Sequence, residues 1–83
     1  MRVTHDRTVD AAYIYLSSSI APGAVKTTYA CDPAEVGGQI HLDFDAQGRL
    51  VGIEVLDASR KLPPDILEGA GSTSAPVEAV RGG

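Results

Sequence analysis

Apolar and polar residues alternate over much of residues 1–60, and no long window repeats apolar residues with a helical period. Because successive side chains of an extended chain point to opposite faces, this alternation indicates half-buried β-strands. It predicts three strands, rich in β-branched and aromatic residues, at Arg2–His5, Ala11–Ser17 and Val25–Cys31. Runs of Asp, Ser, Thr, Pro and Gly, which are typical of turns, separate these segments.

The segment Ile40–Leu56 predicts a β-hairpin, since two alternating runs flank the turn sequence Asp45-Ala46-Gln47-Gly48. Aspartate suits the first position of a type I turn, and glycine suits the left-handed position that follows. A loop of three residues pairs Asp45 with Arg49, Phe44 with Leu50, Leu42 with Gly52 and Ile40 with Glu54. A loop of four residues shifts the pairing by one and places Leu42 beside Val51. The turn chemistry favours the shorter loop.

The favoured register places apolar residues on both faces of the hairpin. One face carries Ile40, Leu42, Phe44 and Leu50, and the other carries Val51, Ile53 and Val55 beside His41, Asp43 and Asp45. A sheet that is apolar on both faces needs two covers, whereas the only helix-like segment is Pro63–Glu68. We therefore expect a second copy of the chain to pack on the exposed face as a two-fold homodimer.

The composition changes after Glu68, where small and polar residues replace the alternating pattern. Residues 69–83 are therefore predicted to form a flexible tail, and residues 1–68 a single domain. The predicted fold class is α+β and mostly β: a small antiparallel sheet of four to five strands, arranged as a β-meander, with a short C-terminal helical turn. A domain of this size without a disulfide often completes its core through a partner.

The chain has 83 residues, of which 7 are basic and 11 acidic, and its net charge is −4. Nucleic acids and anionic membrane surfaces require a basic surface, so neither is an expected partner. No apolar run is long enough to span a bilayer and the N-terminal residues lack the apolar stretch of a secretion signal, so we expect a cytoplasmic protein. The single cysteine, Cys31, cannot form an intrachain disulfide, and no basic neighbour in sequence activates its thiol.

Two motifs resemble those of the YuzE-like family, domain of unknown function 2283. The segment from Asp6 to Leu16 is similar to the family's opening pattern D-x-x-A-D-A-x-Y-I-x-L, with Val9 where the family tends to have alanine. The segment from Asp43 to Ser59 is similar to the second pattern, D-x-D-x-x-G-x-L-V-G-I-E-I-L-x-A-S. The resemblance implies a small antiparallel sheet with a short C-terminal helical piece, in a stand-alone prokaryotic protein. It implies no established activity.

Acidic residues are concentrated in the segment Asp32–Asp57, which contains six acids and one base. His41, Asp43 and Asp45 alternate along one predicted strand and therefore share a face, which Asp57 can join from the partner strand. Oxygen and imidazole groups in this arrangement can hold Mg²⁺, Mn²⁺ or Ca²⁺. Spacing on one strand is a weak signal, however, and an exposed polar row explains it as well, so neither a metal nor another cofactor is predicted.

Glu54 is the candidate acid–base residue, with Asp43, His41 and Tyr13 as its candidate catalytic partners. It lies in an otherwise apolar run, where partial burial suits a carboxyl group to proton transfer. Gly52 lacks a side chain and can leave a depression beside it, into which Tyr13 can direct its phenol. The alternative is structural: Glu54 pairs with a basic residue or a backbone group, and the tyrosines belong to the core.

Four further polar residues are interpreted as structural rather than functional. Asp6, Asp10 and Ser59 have the side chains of turn and cap formers. His5 is interpreted as a partly exposed strand residue and not as a base.

Three functions from different classes fit the sequence. The first is a homodimeric interaction or accessory module that binds a protein partner through an acidic hairpin surface. The second is a cofactor-free enzyme, a cyclase, isomerase or hydrolase, whose acid–base residues meet a small-molecule ligand at the dimer cleft. The third is an antitoxin-like partner of a basic toxin, which fits the acidity and the size of the chain.

Overall fold

The computed structural model describes residues 1–18 and 20–72, which form one sheet with three short helices. The strands are β1 Arg2–Asp6, β2 Ala11–Tyr15, β3 Thr27–Ala30, β4 Ile40–Phe44, β5 Leu50–Leu56 and β6 Gly71–Ser72. The helices are α1 Pro33–Val36, α2 Ala58–Lys61 and α3 Pro64–Glu68. The mostly-β α+β class is confirmed, as are a strand in each predicted region and the helical turn near the end of the predicted domain.

The sheet has the strand order β3-β4-β5-β2-β1-β6, in which the first five strands are antiparallel neighbours and β6 lies parallel to β1. A β-meander would pair β2 with β3, but here β5 lies between β2 and β4. The chain from residue 16 to residue 26 therefore connects β2 to the far edge of the sheet. This order brings the two segments that carry the sequence motifs, β1–β2 and β4–β5, side by side.

The turn between β4 and β5 has the predicted chemistry. The Asp45 carboxylate accepts hydrogen bonds from the backbone N–H groups of Gln47 and Arg49, both at 2.9 Å, and the Asp45 N–H donates to the Arg49 carbonyl at 2.9 Å. Gly48 takes the left-handed conformation, with φ of 78°. The predicted pairs Asp45 with Arg49 and Phe44 with Leu50 are confirmed.

Beyond these pairs the predicted register is wrong, because a β-bulge interrupts the hairpin between Asp43 and Phe44. The pairing becomes Asp43 with Gly52, Leu42 with Ile53, His41 with Glu54 and Ile40 with Val55. Val51 is the extra residue that the bulge accommodates on β5. A shift of one residue moves every later side chain of β5 to the opposite face relative to β4.

The corrected register separates apolar from polar residues, so the expectation of two apolar faces is wrong. One face, the apolar face, carries a row of five cross-strand neighbours, here called the five-strand apolar row: Val3, Ile14, Ile53, Leu42 and Tyr29. The other, the polar face, carries Thr4, Tyr13, Glu54, His41 and Asp43.

Burial is distributed against expectation between these faces. On the polar face Thr4, Tyr13, Asp43 and Glu54 are all buried. In the five-strand apolar row the four aliphatic residues are only half-buried, and Tyr29 is 60% exposed. The fully buried hydrophobic residues of the described chain are small in number and mostly small in size: Ala12, Tyr13, Val25, Val55 and Ala58.

The helices are one or two turns long, and α1 has a specific cap at each end. The carboxylate of Asp32 accepts the Ala34 N–H at 2.9 Å at the start of α1, and Gly37 ends that helix with φ of 68°. The helices α2 and α3 follow β5 and contact β5 and β1 respectively. In the described part of the chain no helix has the length and hydrophobicity needed to cross a membrane.

The segment predicted to be a tail includes the short strand β6. Gly71 and Ser72 pair with Thr4 and His5 of β1. Residues 73–83, the rest of that prediction, lie outside the described residues.

Candidate functional site

Tyr13 crosses the polar face diagonally from β2 to β4. Its hydroxyl donates a hydrogen bond of 2.6 Å to Oδ2 of Asp43, passing over Gly52 on the intervening strand. A Cβ atom at Gly52 would lie 2.1 Å from the tyrosine oxygen and 2.5 Å from Cζ. Gly52 therefore leaves no open depression; the space that its missing side chain creates is filled by the Tyr13 ring.

Asp43 is the buried centre of this network, with no exposed surface. A second hydroxyl, that of Thr28 on β3, donates to its Oδ1 at 2.7 Å. Burying a carboxyl group is unfavourable unless it is hydrogen-bonded, and here each oxygen has a hydroxyl donor. The bonds join β2, β3 and β4 across the sheet.

His41 and Glu54 form the second pair of the polar face. Their strands are neighbours, and Nδ1 of His41 lies 2.8 Å from Oε1 of Glu54. The Glu54 side chain is 10% exposed, whereas the His41 side chain is 24% exposed. Among the described residues no hydrogen bond is made by His41 Nε2, so the carboxylate orients a ring whose other nitrogen is available.

The four candidate catalytic residues thus lie on one face, and Glu54 pairs with both Tyr13 and His41 in the strand register. The sequence had placed Glu54 on the face opposite His41 and Asp43, and the β-bulge reverses that assignment. Thr28 is a member of the network that the sequence did not indicate. Its only signal is its place in an alternating strand, which many threonines share.

Aromatic and cationic contacts extend the network towards the sheet edge. The rings of Tyr13 and Tyr15 pack edge to face with centroids 4.8 Å apart. The Arg2 guanidinium lies 4.0 Å from the Tyr15 ring centroid, in a cation–π contact. Tyr15 thus links the buried Tyr13 ring to Arg2 on the neighbouring strand.

His41, Asp43, Asp45 and Asp57, which were considered as metal ligands, do not come together as a group. Asp45 is engaged in the turn, where its carboxylate also accepts from Arg49 Nε at 3.0 Å, and the Arg49 N–H holds its pKa below the ordinary value. Asp57 is 70% exposed and lies 3.6 Å from Arg60. In the described ranges no three metal-ligating side chains are grouped for an ion.

A separate cluster joins the β1–β2 turn to α2. Asp10, with a left-handed φ of 54°, accepts from Ser59 Oγ at 2.6 Å, from the Ser59 N–H at 3.1 Å and from His5 Nε2 at 2.8 Å. The Ser59 hydroxyl, followed by the His5 contact, lowers the pKa of Asp10 from its usual 3.8. Asp10 thus caps α2 from a distant turn, as its interpretation as a cap former predicts. The sequence did not predict that His5 joins it.

The chemistry available on the polar face is that of an oriented imidazole. A carboxylate at Nδ1 holds the ring in one orientation, and Nε2 is left to accept or donate a proton. The Tyr13 hydroxyl, in contrast, is buried and committed to Asp43. Of the four residues, His41 is therefore the one with a polar atom open to a ligand, and the buried Glu54 orients it.

The described fold and the two motifs agree with a comparison against known families. The model of the family described as "Protein of unknown function (DUF2283)" matches residues 2–59. That range includes β1 to β5, the network on the polar face and Ser59. The searches of curated proteins and of solved structures found no match. A match over more than half of the chain shows that the protein belongs to the DUF2283 family.

Proposed function

We propose that the protein is a homodimeric interaction module whose apolar sheet face binds the same face of a second copy. The observation that carries this proposal is the five-strand apolar row, which spans every antiparallel strand while each of its residues keeps exposed surface. A continuous apolar row that a monomer leaves half-exposed is the usual mark of an interface.

The contrast between the faces supports this proposal. A single chain normally buries its apolar face first, because burial of apolar surface drives folding. Here four residues of the polar face, Thr4, Tyr13, Asp43 and Glu54, are buried, whereas the five-strand apolar row stays partly exposed and only its neighbours Ala12 and Val55 are buried on the strands β2 and β5 of that face. A two-fold partner would bring two such rows together and complete the core that the short helices leave open.

The hairpin exposes fewer acidic side chains to a partner than the sequence indicates. Asp43 and Glu54 are buried, and Asp45 is paired with Arg49 in the turn. The exposed acids of the segment, Asp32, Glu35 and Asp57, lie beyond the ends of β4 and β5. A protein partner that binds the dimer would therefore meet these flanking acids and not an acidic hairpin. We place this module in the cytoplasm, where its one free cysteine would stay reduced.

Light scattering during size-exclusion chromatography of the 83-residue chain tests the dimer directly. The expected mass is twice the chain mass of 8.6 kDa. Tyr29→Glu places a charge on the apolar face at a residue already 60% exposed, so the monomer should fold and the dimer should dissociate. Val9→Glu is the matched control, since Val9 is 65% exposed in the β1–β2 turn and away from the row.

Two outcomes would overturn the proposal. One is a monomeric wild-type mass at all accessible concentrations. The other is a dimer that persists in both Tyr29→Glu and Leu42→Glu, with circular dichroism showing that both variants are folded.

A second candidate function, a cofactor-free acid–base enzyme, is favoured by the His41–Glu54 pair. A half-exposed imidazole oriented by a buried carboxylate is the arrangement of a general base. If this function is right, Glu54→Gln should release the His41 ring from its single orientation and abolish turnover of whatever substrate a screen identifies. Asp57→Asn, an exposed acid outside the polar face, is the control. Undiminished turnover in both His41→Gln and Glu54→Gln would exclude the pair.

A further inference from the structure

A groove of about 330 Å³ lies between the end of β1 and the C-terminal helices, apart from the polar face. Its lining residues are His5, Arg7, Ser59, Pro64, Leu67 and Glu68. This volume falls in the range of sites that hold small organic molecules. None of the four residues proposed for the polar-face site takes part in it.

Asp10 determines what His5 presents to the groove. A carboxylate only accepts hydrogen bonds, so the 2.8 Å contact places the hydrogen on His5 Nε2. In the neutral ring Nδ1 is then an acceptor, and no described residue bonds to it. Ser59 donates its hydroxyl hydrogen to the same carboxylate, so its oxygen also offers only lone pairs to the groove.

The two charged side chains of the groove have no polar partner among the described residues. Among the described residues the side chains of Arg7 and Glu68 make no hydrogen bond or ion pair, in contrast to those of Arg49, Arg60 and Lys61, which bond to nearby carboxylates and carbonyls. The residues that line the groove therefore include one cationic donor and three acceptors, namely Nδ1 of a neutral His5, Ser59 Oγ and the Glu68 carboxylate. Pro64 and Leu67 supply an apolar wall.

We propose that this groove binds a free α-amino acid with an apolar side chain. The ammonium group, which has three donors, matches the acceptors of His5, Ser59 and Glu68, and the carboxylate matches the Arg7 guanidinium. The side chain packs on Pro64 and Leu67. A peptide N-terminus would satisfy the acceptors but leave Arg7 without its anion, and a fatty acid would leave the acceptors unpaired.

Titration of the full-length chain with L-leucine, followed by amide NMR spectra, tests the proposal. We expect saturable shifts at His5, Arg7, Ser59 and Leu67 and none at Gly48 in the distant hairpin turn. Isocaproate lacks the ammonium group and isoamylamine lacks the carboxylate. Each should bind at least about tenfold more weakly than leucine, because each leaves charged groups of the groove unpaired. Glycine, which lacks the apolar side chain, should also bind more weakly.

Variants separate this site from a non-specific apolar contact. Arg7→Gln and Glu68→Gln remove charges that no described residue pairs with, so both variants should fold and both should weaken leucine binding about tenfold or more. Arg49→Gln, in the hairpin turn, should leave it unchanged. The proposal fails if leucine gives no saturable shift, if isocaproate binds as tightly as leucine, or if the groove variants behave like Arg49→Gln. Oligomeric state is not part of the readout, so this result is independent of the proposed dimer.

Discussion

Replacing Gly52 by alanine tests whether the fold requires the Tyr13 ring to lie over Gly52. The added Cβ would lie 2.1 Å from the Tyr13 oxygen, 2.5 Å from Cζ and 2.7 Å from Cε2. The ring is rigid and 1% exposed, so it cannot give way by a small rotation into solvent. Tyr13 must leave its position, and its 2.6 Å bond to Asp43 must break.

The expected loss of stability has two parts. Overpacking a well-filled site costs about 1–3 kcal/mol. Leaving the buried Asp43 without one of its donors costs about another 1–3 kcal/mol. The sum, about 2–6 kcal/mol, is comparable to the total stability of about 4–12 kcal/mol expected for a chain of this length at typical values per residue. Gly52→Ala should therefore lower the urea midpoint severely or unfold the protein.

Urea denaturation followed by circular dichroism measures this effect. Gly38→Ala is the matched control, because the three atoms nearest to the new Cβ would be side-chain atoms of Arg60 and Lys61 at 3.4–3.5 Å, which is close to ordinary van der Waals contact. The free energy of unfolding of that variant should lie within about 0.5 kcal/mol of the wild-type value.

A double-mutant cycle locates the cause. In a Tyr13→Leu background the side chain no longer reaches across β5, so adding Gly52→Ala should cost far less than it does in the wild type. Equal costs in the two backgrounds would refute the reasoning, as would a wild-type midpoint for Gly52→Ala alone.

Three further changes probe the rest of the described fold. Asp43→Asn leaves only one acceptor oxygen for two hydroxyls and should lower the free energy of unfolding in urea by about 1–3 kcal/mol, and an unchanged urea midpoint would contradict this. Asp10 has a pKa below its ordinary 3.8 in the folded state, so its carboxylate stabilises the fold above that pH. The urea midpoints of the wild type and of Asp10→Asn should therefore converge as the pH falls below 3.8. A constant gap between the two midpoints would contradict this. Gly48→Ala meets no atom within 4 Å but must adopt φ of 78°, so it should cost about 1–2 kcal/mol from backbone strain alone, and an unchanged thermal midpoint would argue against that conformation.

Local chemistry explains what could be predicted from the chain alone. The alternation of side chains indicated the regions of β1 to β5, because that pattern reflects a period of two in each strand by itself, but it gave no sign of β6. The turn at Asp45–Gly48 was predictable for the same reason: the aspartate and the glycine act on backbone groups within a few residues. The candidate residues Tyr13, His41, Asp43 and Glu54 were also identifiable by type and position.

The arrangement of those residues depended on contacts between strands. One bulge at Asp43/Phe44 reverses the face of Glu54, and the sequence near the turn contains no signal that separates this register from the regular one. The neighbours β2 and β5 are distant in the chain, so the use of Gly52 as a path for Tyr13 is visible only when both strands are in place.

The sequence by itself indicated the strands β1 to β5, the helix α3, the main turn and the mostly-β class, since each rests on interactions among residues close in the chain, whereas α1, α2 and β6 were not predicted. The tertiary structure decided the strand order, the separation of an apolar from a polar face, and the meeting of His5, Asp10 and Ser59. These features depend on which distant strands pair and on a single-residue shift in one register. The alternation of apolar and polar residues cannot specify which strands pair or in which register, because the same alternation fits every pairing.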